Sequence, residues 1–552
     1  MRTDNLQIPT LIIHNATVHT VDRRDSIAQA VAVAGNHILA TGESKELLSL
    51  AGPDTIIIDA GGRSVIPGIN DSHNHMWEAG MLMEGIITFG YTSIVSLAEE
   101  IGRRVSTMPL GAWLQGGGWA ESQFIEGRMP TRHDLDPYSP NNPVVLERIF
   151  STCCANSVAL KLAGIDRNTP DPSGGEIGRD ASGEPNGLLF RSAKQLVRDV
   201  MPSAFGDDKF GAGERIRGAI TRSMKDYLSY GITSVVEPGV TPSMIRAYQR
   251  LRDEGVLKVR VNLMPCWHGF AINEDSDYSE RLIEELGLYS GFGDAWLRIG
   301  SLKMAIDGGL LSKTSLRTWN YLGDTEIKPF PLRLPLEKLD GWIKQAHDNG
   351  WGVGIHVMGD VAIQKAVDAI YAAYKANPAD RRHQLVHCYY PQADSMKKMA
   401  EAGMVMAAQP AFIYNEADGY EKLLPLDKQR EFLPLRSCID AGVTVAMGTD
   451  MPSAHHNPFW GLYAAVVRKG MRGYSLGKDE SITVAEALRA MTQGGAYMTF
   501  EEKMKGTLEP GMLADLVLLN QDIGSLTDEQ LKDITVSLTM VDGEIVYRQG
   551  ND

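Results

Sequence analysis

Short apolar runs of β character open the chain. Residues 11–20, 30–34 and 37–42 each favour strands, with a turn at Gly35-Asn36 joining the last two. The carboxyl end repeats the pattern: 515–519 reads as a strand, and 534–541 with 544–547 reads as a hairpin turning at Asp542-Gly543. Neither end has enough strands to be stable alone, so residues 1–65 and 503–552 are expected to combine into one small composite β-sandwich. His14 and His19 fall within that sandwich and are not candidate ligands.

The middle of the chain keeps a different rhythm. From about residue 220, helix and strand signals alternate: 220–230 helical, 233–237 strand, 244–254 helical, 258–264 strand. Further strand-like runs follow at 296–302, 351–355, 384–386, 404–408 and 443–449. Between two of them, residues 362, 363, 366, 367, 370 and 371 are apolar, which is helical spacing over 362–374. Such alternation predicts an α/β fold with parallel strands in series, and residues 66–502 are read as its barrel. A stretch from about 110 to 210, rich in Gly, Pro and Asp, is read as an insertion that walls the pocket. Within it, Gly116-Gly117-Gly118 lacks the Gly-Lys-Ser/Thr ending of a phosphate loop, so a close backbone approach is the expected reason for the glycines. The pattern does not assign the first three barrel strands.

Composition narrows the class. With 552 residues, 43% hydrophobic and 22% charged, the chain can bury a large core and is expected to form more than one domain. It has no apolar stretch of about 18 residues, and its amino terminus lacks the apolar region of a secretory signal, so a cytoplasmic location is expected. A formal net charge of −15 argues against nucleic-acid or anionic-membrane partners. Five cysteines without metal-type spacing, including the adjacent Cys153-Cys154, read as buried thiols.

Polar residues close several of the strand-like runs. His356 follows 351–355, His387 follows 384–386, Asp450 follows 443–449, and Lys303 closes 296–302. Upstream, 55–60 and then Pro67-Gly68 read as the entry to a buried strand whose far end carries His73 and His75. Residues i and i+2 of an extended segment project to the same side, so both imidazoles of an H-x-H pair can reach one metal ion. Parallel strands in series gather such residues into one ring at their carboxyl ends. Singly, each histidine reads as a satisfied core residue and Asp450 as a helix cap. Their joint placement at strand ends points to a metal.

These residues resemble the amidohydrolase superfamily, and within it the amidohydrolase 3 branch that includes N-substituted formamide deformylases. The resemblance runs over almost the whole chain. It is carried by Val65-Ile66-Pro67-Gly68 with the following H-x-H, by 171–187 (DPSGGEIGRDASGEPNG), by Lys303 with Asp307-Gly308, by 355–360, by Gly448-Thr449-Asp450 with Pro452, and by 505–517. It implies a (β/α)8 TIM-like barrel with the composite β-sandwich at its side. It further implies that His73 and His75 bind one metal, His356 and His387 a second, and Lys303 bridges them as its carbamate, while Asp450 binds metal and handles protons. The alternative for Lys303 is a strand-end lysine paired with a carboxylate such as Asp307, in which case a single metal is expected. Zinc suits histidine nitrogens with a few oxygens, although manganese, iron or nickel could take the same ligands.

The implied activity is hydrolysis of a C–N amide bond in a small molecule by a metal-activated water. A deaminase or an ester or lactone hydrolase on the same scaffold, or a non-catalytic binding protein, are the other readings. Asp450 fits the general base. Trp77, Trp119, Trp267, Trp319, Phe412 and Tyr414 are candidates for an apolar, aromatic pocket. Two departures from the family bear on the substrate: Ser151 stands where many relatives carry histidine, and Arg191 where they often carry glutamate. The sequence leaves the oligomeric state open, a homodimer included.

Overall fold

Apolar runs with no polar alternation become parallel strands covered on both faces. The computed structural model describes residues 8–119, 121–148, 152–202, 214–268, 285, 287–327, 330 and 332–550, so Ser151 lies outside the described residues. The chain divides into two units, one of Met1–Asn74, Met224–Thr449 and Asn457–Asp552, the other of His75–Ser223 and Asp450–His456.

The first unit is α/β. Strands Ile69–Asp71, Ile232–Val240, Arg260–Pro265 and Leu297–Ile299 form an all-parallel sheet. Strands Leu302–Ala305, Val353–Val357, Gln384–His387, Val405–Ala408 and Thr444–Met447 form a second, also all parallel. A parallel bridge pairs Cys266 with Lys303, and Ser72 N–H donates to the Met447 carbonyl at 3.2 Å. Among the described residues, helices return the chain between Ile232–Val240 and Arg260–Pro265 and between the successive strands from Leu302–Ala305 to Thr444–Met447, as the alternation predicts. Asp360–Ala376, for example, turns Ala362, Ile363, Ala366, Val367 and Ile370 inward.

Two expectations change. The run 296–302 is two strands, not one, parted at Gly300-Ser301. The first pairs with Arg260–Pro265 and the second with Val353–Val357, and a Cβ on Gly300 would lie 1.8 Å from Asn262 Oδ1. Lys303 therefore sits inside a strand and does not close one. The run 55–60 is not the entry to the histidine-bearing strand either. Ile56–Asp59 is an edge strand with Ile56 and Ile57 exposed, whereas Ser64–Pro67 and Ile69–Asp71 lead into the histidines. The break between those two falls at Gly68, where a Cβ would meet Thr233 Oγ1 at 2.2 Å.

Both chain ends contribute to one sheet of the first unit. Leu516–Leu519 pairs antiparallel with Ser64–Pro67 in the order Glu544–Arg548, Val536–Val541, Leu516–Leu519, Ser64–Pro67, Thr17–His19, Ile27–Ala28. Residues 11–20 supply two strands to different sheets, separated at Asn15 with φ 52°. Arg260 ties the carboxyl-terminal sheet to the parallel strands: its Nε and Nη2 donate to the Asp515 carboxylate at 2.7 and 2.9 Å, and Nη2 reaches Asp542 at 3.0 Å. Both Arg260 and Asp515 are buried, so losing one partner would strand the other's charge.

The second unit holds a mixed six-stranded sheet in the order Gly175–Arg179, Pro185–Arg191, Thr152–Ala155, Val144–Arg148, Leu114–Gly117, Ile86–Ile87. The glycine run is a close approach, as expected. A Cβ on Gly118, whose φ is +95°, would lie 2.3 Å from the Phe89 ring. Cys153 and Cys154 are buried in the central strand, and burial pushes both thiols well above their usual range. Among the described residues, no helix is long and apolar enough to cross a membrane.

A buried histidine pair braces the first unit. Val353 N–H donates to His383 Nδ1 at 3.1 Å, so His383 Nε2 carries the proton and donates to His347 Nδ1 at 2.9 Å. His347 Nε2–H then donates to the Asn377 carbonyl at 2.7 Å. Only neutral rings satisfy this chain. Burial, with His347 and Arg381 adding to it, pushes His383 down to about 3. Because the folded value lies below the unfolded one, the stability is complete above the unfolded pKa and is lost as pH falls towards the folded one. Stability is expected to drop by roughly 2 kcal/mol between pH 6.5 and 4.5 from this group. Urea unfolding against pH checks this: His383→Gln should flatten the acid limb, and an unchanged limb would clear the pair of responsibility.

Candidate metal centre

The H-x-H segment is held by backbone on both sides. Beyond the strand Ile69–Asp71, Ser72 N–H goes to Met447 and Asn74 N–H donates to the Val236 carbonyl at 3.0 Å. Asp71 organises this turn. Its Oδ1 accepts from His73 N–H at 3.2 Å and Thr449 N–H at 3.0 Å, and its Oδ2 accepts from Asn74 Nδ2 at 2.8 Å and the Thr449 hydroxyl at 2.5 Å. One buried carboxylate thus binds the segment bearing His73 to the residue preceding Asp450.

The six expected ligands come together in pairs. His73 Nε2 lies 3.1 Å from Lys303 Nζ, His356 Nδ1 lies 3.0 Å from His387 Nε2, and His75 Nε2 lies 3.4 Å from Asp450 Oδ1. The His73 and His387 rings are 6.1 Å apart, edge to face. His73, His75 and Asp450 are all buried, and each offers a ligand atom within 4.8 Å of the others. Lys303 and His387 are buried too, with His356 partly open. Burial, then His387, Arg333 and Lys303, hold His356 well below the usual histidine range. A neutral imidazole is the form that ligates metal, so the donor set fits a divalent ion.

Backbone strain falls on the same residues. His387 has φ +70° and Asp450 φ +57°, left-handed conformations that glycine adopts freely and other residues rarely. Each costs on the order of 1–2 kcal/mol, so the surrounding structure holds these two side chains where local preference would not put them.

Asp307 supports the His356 side. It accepts from the backbone N–H of Leu316, Met358 and Gly359 at 2.9–3.0 Å and lies 4.0 Å from His356 Nε2. Burial outweighs those three bonds and pushes its carboxyl up to about 7.

The aromatic candidates scatter. Trp119 is fully buried in the apolar core of the second unit, where its Nε1 donates to the Leu146 carbonyl at 3.2 Å. Trp77 is buried in the helix Met76–Glu84, Trp267 lies 4.8 Å from the His268 ring, and Tyr414 packs on Trp460 and Tyr463. Trp319 meets Tyr321 and Tyr390 edge-on, and Phe412 meets His387 edge-on at 6.1 Å. Arg191 is exposed at the end of its strand, with φ +51°.

The imidazoles of His73, His356 and His387 lie at the ends of parallel strands, and with Lys303 they form a donor set that fits a divalent metal. The chain belongs to the amidohydrolase family, whose Amidohydro_3 model matches residues 57–547, and it is a metal-dependent amidohydrolase. It is 30% identical to an N-substituted formamide deformylase from Arthrobacter pascens, over 98% of this chain and 99% of that protein. An uncharacterized metal-dependent hydrolase from Pyrococcus furiosus has a similar structure, with TM-score 0.70 and 25% identity over 93% of this chain and 99% of that one. The atrazine chlorohydrolase TrzN from Arthrobacter aurescens TC1, complexed with zinc, shares the fold at TM-score 0.54 and 17% identity over 98% of this chain and 97% of that one.

The role of Asp71 was not assigned from sequence, although the residue stands two positions before His73. Asp71→Asn keeps the shape but replaces an acceptor with a donor, so one of the bonds to His73, Asn74 or Thr449 fails. Metal affinity is expected to fall about 10–100-fold, as for other residues that orient ligands. Competition with a chelator measures it, and wild-type affinity would show that the turn holds without Asp71.

Proposed function

We propose that this enzyme hydrolyses the C–N bond of a small amide, with N-substituted formamides the first class to test. The observation that carries the reading is Lys303 beside His73, with the His356 and His387 nitrogens facing each other. Similarity to a formamide deformylase over nearly the full length of both chains supports it. We read the parallel strands, with Leu297–Ile299 and Leu302–Ala305 as two halves of one, as an eight-stranded barrel over 66–502, with an insertion at about 110–210. The bridge at Lys303 and the hydrogen bond from Ser72 to Met447 support that closure. The sheet shared by the two chain ends supports a composite β-domain of 1–65 and 503–552.

In this reading His73 and His75 would hold one divalent metal and His356 and His387 a second, with Lys303, as its carbamate, a ligand available to both. Zinc is the first choice for both. When bound, the metals supply Lewis acidity and lower the pKa of water. A protonated lysine cannot bridge two cations. Its neutral amine can add to carbon dioxide and lose a proton, which leaves one negative charge shared by two oxygens. Asp450 takes a proton from the attacking water and returns it to the leaving nitrogen. Asp71 and Asp307 hold the ligand-bearing turns in place.

Metal-replete protein is expected to contain close to two divalent ions per chain. Asp450→Asn should keep most of that metal while lowering kcat by about 10²–10⁴-fold. Metal content and turnover of an N-substituted formamide are to be measured on the same sample. Near-normal turnover in fully metallated Asp450→Asn rejects Asp450 as the proton carrier.

Lys303→Ala is expected to lose both metal and activity, with short carboxylic acids restoring part of each by standing in for the carbamate. Normal metal content and rate in that variant would dismiss the bridge.

A further inference from the structure

Gln409 stands at the ends of the parallel strands, and the hydrolytic chemistry leaves it unused. It follows the strand Val405–Ala408, which lies between Gln384–His387 and Thr444–Met447. Val405 and Ala407 belong to the apolar interior, and Val386 and Ala446 are level with Ala407 in the neighbouring strands. Side chains two residues apart along a strand share a face, so Gln409 projects towards the same interior, beyond its apolar layer. His356 follows the same rule: a Cβ on Gly354, two residues earlier, would meet Met264 of that layer at 2.1 Å. The chain then turns at Pro410 into the helix Ala411–Leu423. Phe412 N–H donates to the Gln409 carbonyl at 3.2 Å, and the Phe412 ring meets His387 edge-on at 6.1 Å.

The Gln409 amide is fully buried, and its orientation is fixed. Nε2 donates to the Ala407 carbonyl at 2.8 Å, and exchanging the two ends of the amide would set oxygen against oxygen. Oε1 is therefore the other end, and among the described residues no donor reaches it. Gln429 shows what a purely structural amide looks like in this protein. Its Nε2 donates to the Glu421 and Leu424 carbonyls at 3.1 and 2.7 Å, and its Oε1 accepts from the Tyr474 hydroxyl. A buried acceptor left without a donor is costly, so Oε1 of Gln409 is suited to a donor that arrives with a ligand.

We propose that Gln409 is a specificity-determining residue whose Oε1 accepts the N–H of the scissile amide. The inference rests on the amide-hydrolase reading for its reaction, and on Gln409 alone for the contact. A secondary amide offers one acceptor, its carbonyl, and one donor, its N–H. In that reading the carbonyl faces metal and Asp450 handles the protons, which leaves the N–H to be met by an acceptor. Gln409 exchanges no proton. Holding the N–H fixes which way the nitrogen pyramidalises, so its lone pair points away from Gln409 and is open to the proton that Asp450 returns as the C–N bond breaks. A buried acceptor built for one donor discriminates strongly against an analogue that lacks it.

The test uses the full-length, metal-loaded enzyme with N-(2-phenylethyl)formamide and with 2-phenylethyl formate, in which oxygen replaces the N–H. Gln409→Met keeps the length of the side chain and removes the acceptor. It is expected to lower kcat/KM for the formamide by about 10–100-fold, with a much smaller loss for the formate. Gln409→Glu keeps an acceptor oxygen and should retain more of the formamide activity than Gln409→Met. Both substrates are read on one sample, so loss of metal or of folded protein lowers both alike and leaves their ratio to report the contact. Binding of N-(2-phenylethyl)acetamide against 5-phenyl-2-pentanone, in which a methylene replaces the N–H, is measured by calorimetry on the same proteins. Wild type should prefer the acetamide, and Gln409→Met should lose that preference. If the formamide is not hydrolysed, the amide reading fails, and the binding comparison alone decides the role of Gln409. Equal losses for formamide and formate, or no preference for the acetamide in the wild type, overturn the proposal.

Discussion

The centre depends on the hydrogen bonds gathered by the Asp71 carboxylate. Burying that group raises its pKa, and only the donors from Thr449, Asn74 and His73 offset the cost. An isolated buried carboxylate would cost several kcal/mol, whereas bonds to a charged group return about 1.5–3 kcal/mol each. The bonded arrangement is therefore tolerated only with its donors in place. Those donors come from residues 73–74 and 449, so satisfying one carboxylate fixes together two distant segments that lead into the candidate ligands. Gly448 makes the approach possible: a Cβ there would lie 2.6 Å from His73 N and 2.7 Å from Asp71 Oδ1.

Around this contact the fold supplies stiffness. The interior between the parallel strands is filled by Val236, Met264, Val386, Val405, Ala407 and Ala446, with Met498. Val386 precedes His387, so its packing helps hold the histidine in its left-handed conformation. Arg382 secures the other end of the same strand, pairing with Glu502 at 2.8 Å while lying over the Tyr497 and Phe500 rings. Strain at His387 and Asp450 is thus balanced by packing that local sequence does not reveal.

The strand-end placement of His356, His387 and Asp450 was legible because buried parallel strands write themselves as unbroken apolar runs. The helix Asp360–Ala376 was legible for the complementary reason, a spacing that only one periodicity fits. The break at Gly300-Ser301 was not, since an apolar run does not say which neighbour each half pairs with. Ile56–Asp59 misled in the same way: three isoleucines mark β character, but an exposed edge and a buried strand share that mark. The part played by Asp71 lay beyond local reading because its bonds to Thr449 span 378 residues. The aromatic candidates illustrate a further limit. Trp119 and Phe412 look alike as residues, yet one fills a core and the other faces a candidate ligand.

The charge pattern explains why a lysine stands among the histidines. Lys303 is almost fully buried beside His73, and Arg333 is near enough to act on His356, so the ordinary side chains at this rim crowd positive charge around imidazoles that must stay neutral to ligate. A buried ammonium there carries a desolvation cost. Carbamylation, as proposed, would reverse the sign at that position and give a ligand that the surrounding cations stabilise.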